Sequence, residues 1–310
     1  MATTTKLASL KLETTEYVKP HSLWGDVWRQ FRKHKLGLGA ALVLILVVGV
    51  IVFGPLVWRV DPKHIDIVAQ YSSTTFDHPM GADDLGRDML SRVLEGGRVS
   101  LAVGITAMAI AMTIGTSVGL LSGYFTLIDN LLMRLTDMFL SLPILPLLLV
   151  ITLLFRDTLR AEFGPEAGIF ILMVTVIGGL GWMPTARLVR GEVLSIKERD
   201  FVIAAKSLGA SDMSILRRHI FPNILSPVIV SATFSIASAI ITESALSFLG
   251  LGFPSDFPTW GRLLNDYREL VRLAPHLVLW PGLFISMTVL CVNFIGDGLR
   301  DALDPRLRKS

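Results

Sequence analysis

Arg-Asp-Phe-Val-Ile-Ala-Ala-Lys-Ser-Leu-Gly-Ala-Ser-Asp-Met-Ser-Ile-Leu-Arg-Arg-His-Ile-Phe-Pro-Asn runs from Arg199 to Asn223, a polar stretch set between two long apolar runs. Phe201, Ala204, Ala205 and Leu208 fall on one helical face, and the two alanines leave a shallow strip suited to close packing. Gly209 supplies a residue tolerant of positive φ to end that helix. Ser211 or Asp212 can cap a second short helix, on which Met213, Leu216 and Ile220 form an apolar ridge while Arg217 and Arg218 face elsewhere. Ala210 belongs to the turn, and Pro222 and Pro227 punctuate the entry into the next apolar run. The stretch therefore reads as a rigid helix, glycine turn and helix that another protein can grip.

Composition identifies the solvent around it. Mean hydropathy is +0.59, with 52% apolar and 18% charged residues, whereas a soluble domain carries nearer ~25% charge. Six uncharged runs, Leu36 to Trp58, Val99 to Ile128, Met138 to Phe155, Ala167 to Ala186, Ile220 to Thr242 and Leu277 to Gly296, reach the ~17 to 25 residues that cross a bilayer as helices. The second is longer than one crossing needs, and Gly123-Tyr124 is its expected exit. A cleaved signal peptide would have a shorter lead and a shorter apolar region than the first run.

With six spans both termini face one side. Placing them in the cytoplasm puts 19 of the 29 Lys and Arg in inner segments and 10 in outer ones, as the positive-inside rule requires. The net charge of +3 thus reads as topology, and without a basic patch it gives no footprint for nucleic acid.

The stretch from Arg199 to Asn223 resembles the cytoplasmic "EAA" loop of bacterial ABC importer permeases, with two alanines, a following glycine and an apolar-Pro pair. Ile203 stands where an acidic residue gives that loop its name; Asp200 is the nearest replacement. Three further segments are similar to the permeases that carry dipeptides, oligopeptides or nickel: Gly81-Ala82-Asp83-Asp84-Leu85-Gly86-Arg87-Asp88, the pair Gly250-Leu251-Gly252-Phe253-Pro254 and Pro258-Thr259-Trp260-Gly261, and the segment Gly296 to Arg306.

The resemblance implies an all-α membrane protein of the type I importer permease class, multi-pass in the bacterial inner membrane. Its implied partners are a second homologous permease, two ABC ATPase subunits and an extracytoplasmic substrate-binding protein. Ala204, Ala205, Gly209, Ala210, Ser211, Asp212, Met213, Leu216 and Pro222 are the residues implied to couple to an ATPase. The corresponding division is a cytoplasmic segment 1–35, a first span 36–58, an outer loop 59–98, a five-helix core 99–296 holding the coupling loop 187–222, and a tail 297–310.

The remaining features are read beside this frame. Residues 1–20 are Thr- and Lys-rich and expected to be mobile. Leu23, Trp24, Val27, Trp28 and Phe31 are spaced as on a helix lying at the membrane surface, with Arg29, Arg32, Lys33 and Lys35 near anionic headgroups; a plain lead into the first span is the other reading. Asp83, Asp84 and Asp88 lack the alternation and terminal Glu of an EF-hand, so a turn feeding a short helix from about Asp84 to Leu94 is expected.

Ala107, Ala111, Gly115, Gly119 and Gly123 recur every fourth residue, a groove for close helix approach in lipid. Arg134 and Asp137 are spaced to pair one turn apart, and Pro143 and Pro146 stand at the start of the third span or mark a kink. Glu243, a carboxylate at bilayer depth, is expected to face water, a partner or the pathway.

No Gly-Lys pair occurs, so the phosphate loop of an ATPase is absent. The six His are dispersed without ligand spacing, and Cys291 is the only cysteine, which leaves no expected metal or cofactor and no constellation for an enzyme. An ion-coupled secondary transporter is the alternative; it ordinarily buries ionisable groups at mid-membrane, and the six runs contain none.

Overall fold

The structure is a computed structural model that describes residues 23–303. The expected mobile leader at 1–20 and the last residues of the tail lie outside the described residues, as do the side chains of Leu23 and Trp24. Among the described residues there is no β-strand, and a bridge joins Ala82 to Asp88.

Among the described residues twelve α-helices follow in order: α1 Leu23–Lys33, α2 Lys35–Val57, α3 Met89–Tyr124, α4 Thr126–Ser141, α5 Ile144–Phe163, α6 Pro165–Leu180, α7 Met183–Lys197, α8 Asp200–Ser207, α9 Asp212–Ile215, α10 Phe221–Phe248, α11 Trp260–Tyr267 and α12 His276–Leu303. Five helical stretches are each long and apolar enough to span, and α4 with α5 makes a sixth if the bent pair is one crossing. Its contacts reach both ends of the bundle. Asp129 in α4 pairs with Arg190 near α8, while Arg156 in α5 reaches the Gly250 carbonyl near α11.

Three sequence expectations change, and of the two readings of Pro143 and Pro146 the kink is the one that forms. The short helix over Asp84 to Leu94 and the span from Val99 merge into α3, which Asp88 caps at Ser91 N, 2.8 Å away. At ~1.5 Å per residue its 36 residues rise about 54 Å, so it projects beyond the hydrocarbon. The third span is no straight helix, for α4 and α5 meet at 87°. Leu142 adopts an extended conformation there, as the residue before a proline prefers.

The second helix of the polar loop is continuous with the fifth span. Asp212 to Phe248 forms one 37-residue stretch, with a π turn over Leu216–Ile220. Pro222 lacks an amide hydrogen and its ring crowds the carbonyl one turn back; the wider turn accommodates it without breaking the helix. Finally, α12 runs on to Leu303, so the tail is helical at its start.

The glycine groove on α3 is filled by α7. Added Cβ atoms at Gly115, Gly119 and Gly123 would stand 2.7, 2.7 and 3.1 Å from the carbonyls of Trp182, Ala186 and Arg190. Burying oil against oil gains little in lipid, so this backbone approach is the main attraction available to the pair. Val27 and Phe31 of α1 pack with Ala302 of α12, and Trp28 remains exposed. The helix α1 is thus clamped to the end of α12.

Candidate functional site

The bundle has two polar ends, one carrying α8 and the other α11. At the α8 end, α7 leaves the α3 groove and the chain turns into α8. Gly209 has φ +83°, and Leu208 N, Gly209 N and Ala210 N donate to the carbonyls of Ala204, Lys206 and Ala205. This closes the helix with a left-handed residue, as its sequence anticipates. Val202 of α8 is buried against Val193, Ile196, Ile215, Leu216 and Ile220. The opposite face of α8 is bare: Phe201, Ile203 and Leu208 are exposed, Leu208 at 88%, as are Ala204 and Gly209.

Most of the expected coupling residues therefore collect on one projecting knob, and two parts of the expectation are revised. Leu216 and Ile220 point inward with Ile215, while Met213 is 63% exposed, so Met213 belongs to the outward face and not to the inner ridge. Ser211 occupies the cap position without a side-chain bond. Asp212 instead accepts a hydrogen bond from the Tyr124 hydroxyl at 2.6 Å, joining the knob to the last residue of α3. Ala210 is half-buried and Pro222 exposed. The Arg134–Asp137 pairing is replaced: Arg134 donates to Asn130, Asp137 pairs with Arg187, and Asp129 takes a two-pronged bond from Arg190 at 2.6 and 2.7 Å. The last two tie α4 to α7, and the knob itself packs against α3, α7 and α10.

Deeper in the bundle a cavity of about 450 Å³ opens beside the α4–α5 bend and the α6–α7 break. Met108, Phe139, Ile177 and Phe234 give it apolar walls, and Thr185, Ser231, Ser235, Ser238 and Thr242 line it with hydroxyls. The four from α10 are spaced four, three and four residues apart, one face of a helix. That spacing was legible in the sequence and passed over. No charged side chain lines the cavity.

Glu243 does not. It is fully buried and accepts hydrogen bonds from Ser247 Oγ at 2.7 Å and Ser100 Oγ at 3.1 Å, so in this structure it faces the protein interior.

At the α11 end the first outer-loop motif forms a buried charge network. Asp83 accepts from the Arg87 guanidinium at 2.7 Å and the Tyr267 hydroxyl at 2.8 Å. Asp88, besides capping α3, accepts from Trp58 Nε1 at 2.9 Å and lies 3.0 Å from His78 Nδ1. Burial pushes the Tyr267 hydroxyl far above the ordinary phenol range, which keeps it a donor. Burial likewise raises the Asp266 carboxyl, against the pull of Arg262 and Arg92. Gly86 is required here: its φ is +75°, and a Cβ would sit 1.6 Å from the Asp66 carbonyl. Trp260, wholly buried, donates from its indole to the Val93 carbonyl at 3.1 Å and packs over Gly97. The aspartates of this motif thus take protein donors, and among the described residues no cluster of three or more His, Cys, Asp or Glu is arranged for a metal ion.

Comparison with known proteins agrees with this architecture. Residues 89–309 match the family model of the binding-protein-dependent transport system inner membrane component, and residues 22–77 match the N-terminal transmembrane domain of oligopeptide transport permease C. The dipeptide transport system permease protein DppC of Alkalihalophilus pseudofirmus is 36% identical over 93% of this chain and 91% of its own length. The glutathione transport system permease protein GsiD of Escherichia coli O6:K15:H31 is 39% identical over 96% of each. Among solved structures, an inward-facing conformation of the MetNI methionine ABC transporter superposes with a TM-score of 0.56 at 18% identity, covering 70% of this chain and 96% of that one; it shares the fold. With family models over both parts of the sequence and near full-length relatives, the chain belongs to the binding-protein-dependent inner membrane permeases of ABC importers, multi-pass proteins that are transporters and not enzymes.

Proposed function

We propose that this chain is one of two related permease subunits that together form the membrane pathway of an ATP-driven importer of small peptides. The cargo class rests on the relatives, whose names specify dipeptide and glutathione transport. The α8 end faces the cytoplasm and receives an ATPase, each permease of the pair taking one of two. The α11 end faces outward and meets the substrate-binding protein. No nucleic acid takes part, and the bilayer surrounds the exposed apolar faces of α2 and α12.

One observation carries the mechanism: the knob is exposed on its docking face yet tied to α3, α7 and α10 on the other, with α4 bonded to α7 behind it. A rigid element of this kind converts closure of an ATPase dimer into movement of the helices around the cavity. Ala204, Ala205, Gly209, Phe201, Ile203, Leu208 and Met213 make the contact. ATP binding pulls the knob and turns the cavity from inward-open to outward-open; hydrolysis resets it. An ion-coupled transporter would take its energy from the gradient across its own helices, and family membership leaves no ground for that alternative.

The hydroxyl row and Thr185 form this subunit's half of the pathway. Hydroxyls both donate and accept, which suits a cargo that presents peptide N–H and C=O groups in any order. Orientation is tested in a Cys291→Ser background carrying Leu208→Cys. A membrane-impermeant thiol reagent leaves this position unlabelled in intact cells and labels it in inverted vesicles; labelling in intact cells would overturn the orientation. ATP-dependent uptake of a labelled dipeptide that persists when this chain is deleted would overturn the cargo assignment.

A further inference from the structure

An apolar groove of about 680 Å³ runs along the outer surface of the bundle between α2 and α12. It plays no part in the coupling knob or the hydroxyl-lined cavity. Gly39, Val43, Gly282, Met287 and Phe294 are among its walls, and its only polar lining side chains are Ser286 and Lys35. At Gly39 a Cβ would meet nothing within 4 Å, and at Gly282 only a Leu264 methyl at 3.9 Å, so the groove is open where it lacks side chains. Its stretch on α12, Leu279 to Phe294, rises about 22 Å at ~1.5 Å per residue. One leaflet of a ~30 Å hydrocarbon core is about 15 Å deep. A single acyl chain therefore has room to lie along it.

The charge at one end specifies what the chain is attached to. Lys35 is exposed at the start of α2, where Gly37 abuts the Phe294 end of the groove. Among the described residues it has no ion-pair partner. Arg32 and Lys33, exposed at the end of α1, place two more cations immediately before it. His34, between them, is otherwise engaged: it accepts from Gly37 N at 2.9 Å and lies 3.7 Å from Asp301. An apolar furrow with a cationic mouth at headgroup level is the arrangement that holds an anionic lipid between transmembrane helices.

We infer that the α2–α12 groove binds an anionic phospholipid, one acyl chain along Gly39 and Gly282 and the phosphate at Lys35. The inference rests on α2 and α12 spanning the membrane and not on cargo or coupling, so its failure leaves the importer reading untouched.

The test uses the full chain with whatever subunits co-purify, delipidated in mild detergent. It is titrated with phosphatidylglycerol or phosphatidylcholine of identical acyl chains, and bound lipid is counted by native mass spectrometry. Phosphatidylglycerol binds more tightly, and Lys35→Ala removes the preference by about fivefold, the effect of one basic residue at an anionic surface. Gly39→Phe, which fills open space without a clash in this chain, lowers binding of both lipids. Three results would overturn the assignment: equal binding of the two lipids by the unaltered chain, no change on Lys35→Ala, or no change on Gly39→Phe. A fourth would be disulfide cross-linking of Ser286→Cys, in a Cys291→Ser background, to a second permease subunit, because a protein helix would then fill the groove.

Discussion

The two polar ends of this bundle are built on opposite principles. At the α11 end, Asp83, Asp88 and Arg92 are buried and tied to Arg87, Tyr267, Trp58 and Asp266, and the loop before α3 is locked against the helix it feeds. At the α8 end, a single buried valine anchors a short helix whose other face leaves Phe201, Ile203 and Leu208 exposed. A buried charge that loses its partner is costly, so such a network fixes one geometry. An exposed apolar face adds nothing to the isolated fold and becomes stabilising only when something covers it. One end is a fixed platform and the other an unfinished interface.

The contrast can be broken by substitution, and the largest effect belongs to the α11 end. Trp260→Ala removes a fully buried ring and the indole bond to Val93. It is expected to lower stability by about 3 to 5 kcal/mol, read as a fall in the melting temperature of the purified chain in detergent. A shift of less than one degree would mean that α11 is not part of the structural frame.

Next is the shaft between the ends. Gly119→Val puts methyl groups into the Ala186 carbonyl and the Val189 side chain, where even a Cβ would stand 2.7 and 2.6 Å away. Overpacking of this kind costs about 1 to 3 kcal/mol. Because α7 must move off α3 to relieve it, ATP-dependent uptake falls further than thermal stability does. Equal scaling of the two would argue that α7 does not carry the coupling.

Tyr124→Phe is smaller. Losing its bond to Asp212 costs about 0.5 to 1.5 kcal/mol, and a modest loss of uptake at an unchanged level of protein in the membrane is the expected readout.

Smallest in stability is Leu208→Glu, which alters an 88% exposed side chain and should stay within about 0.5 kcal/mol. The same change places a carboxylate on the apolar docking face, so the ATPase subunit should no longer co-purify. A variant that kept its ATPase would show that the partner grips some other surface, and one that unfolded would show that Leu208 helps to hold the fold.

How much of this could be read from the chain depends on the range of each interaction. The helix-ending role of Gly209 was legible because it concerns one residue's backbone. The every-fourth-residue groove was legible too, since 3.6-residue periodicity places those glycines on one face whatever packs there. Leu142-Pro143 signalled a break without giving its angle, because local sterics forbid a straight helix but only neighbours choose the 87° turn. Pro222 misled in the other direction: it suggested a boundary, and a π turn carried the helix past it.

The motif Gly81 to Asp88 was recognised as a pattern, yet its reason was hidden. Asp83 meets Tyr267, and Ser100 meets Glu243, across 184 and 143 residues of chain. No spacing rule reaches that far.

By itself, then, the sequence determined the solvent and the kind of protein. Hydropathy, uncharged run length and turn chemistry are sums over neighbouring residues, and lipid permits few ways to satisfy a backbone. Only the tertiary structure decided which helix fills the α3 groove, that Glu243 turns inward, that Met213 joins the exposed face of the knob, and that an open cavity collects the α10 hydroxyls. Those outcomes depend on which distant helix arrives at a given face, and that is settled by packing over the whole bundle.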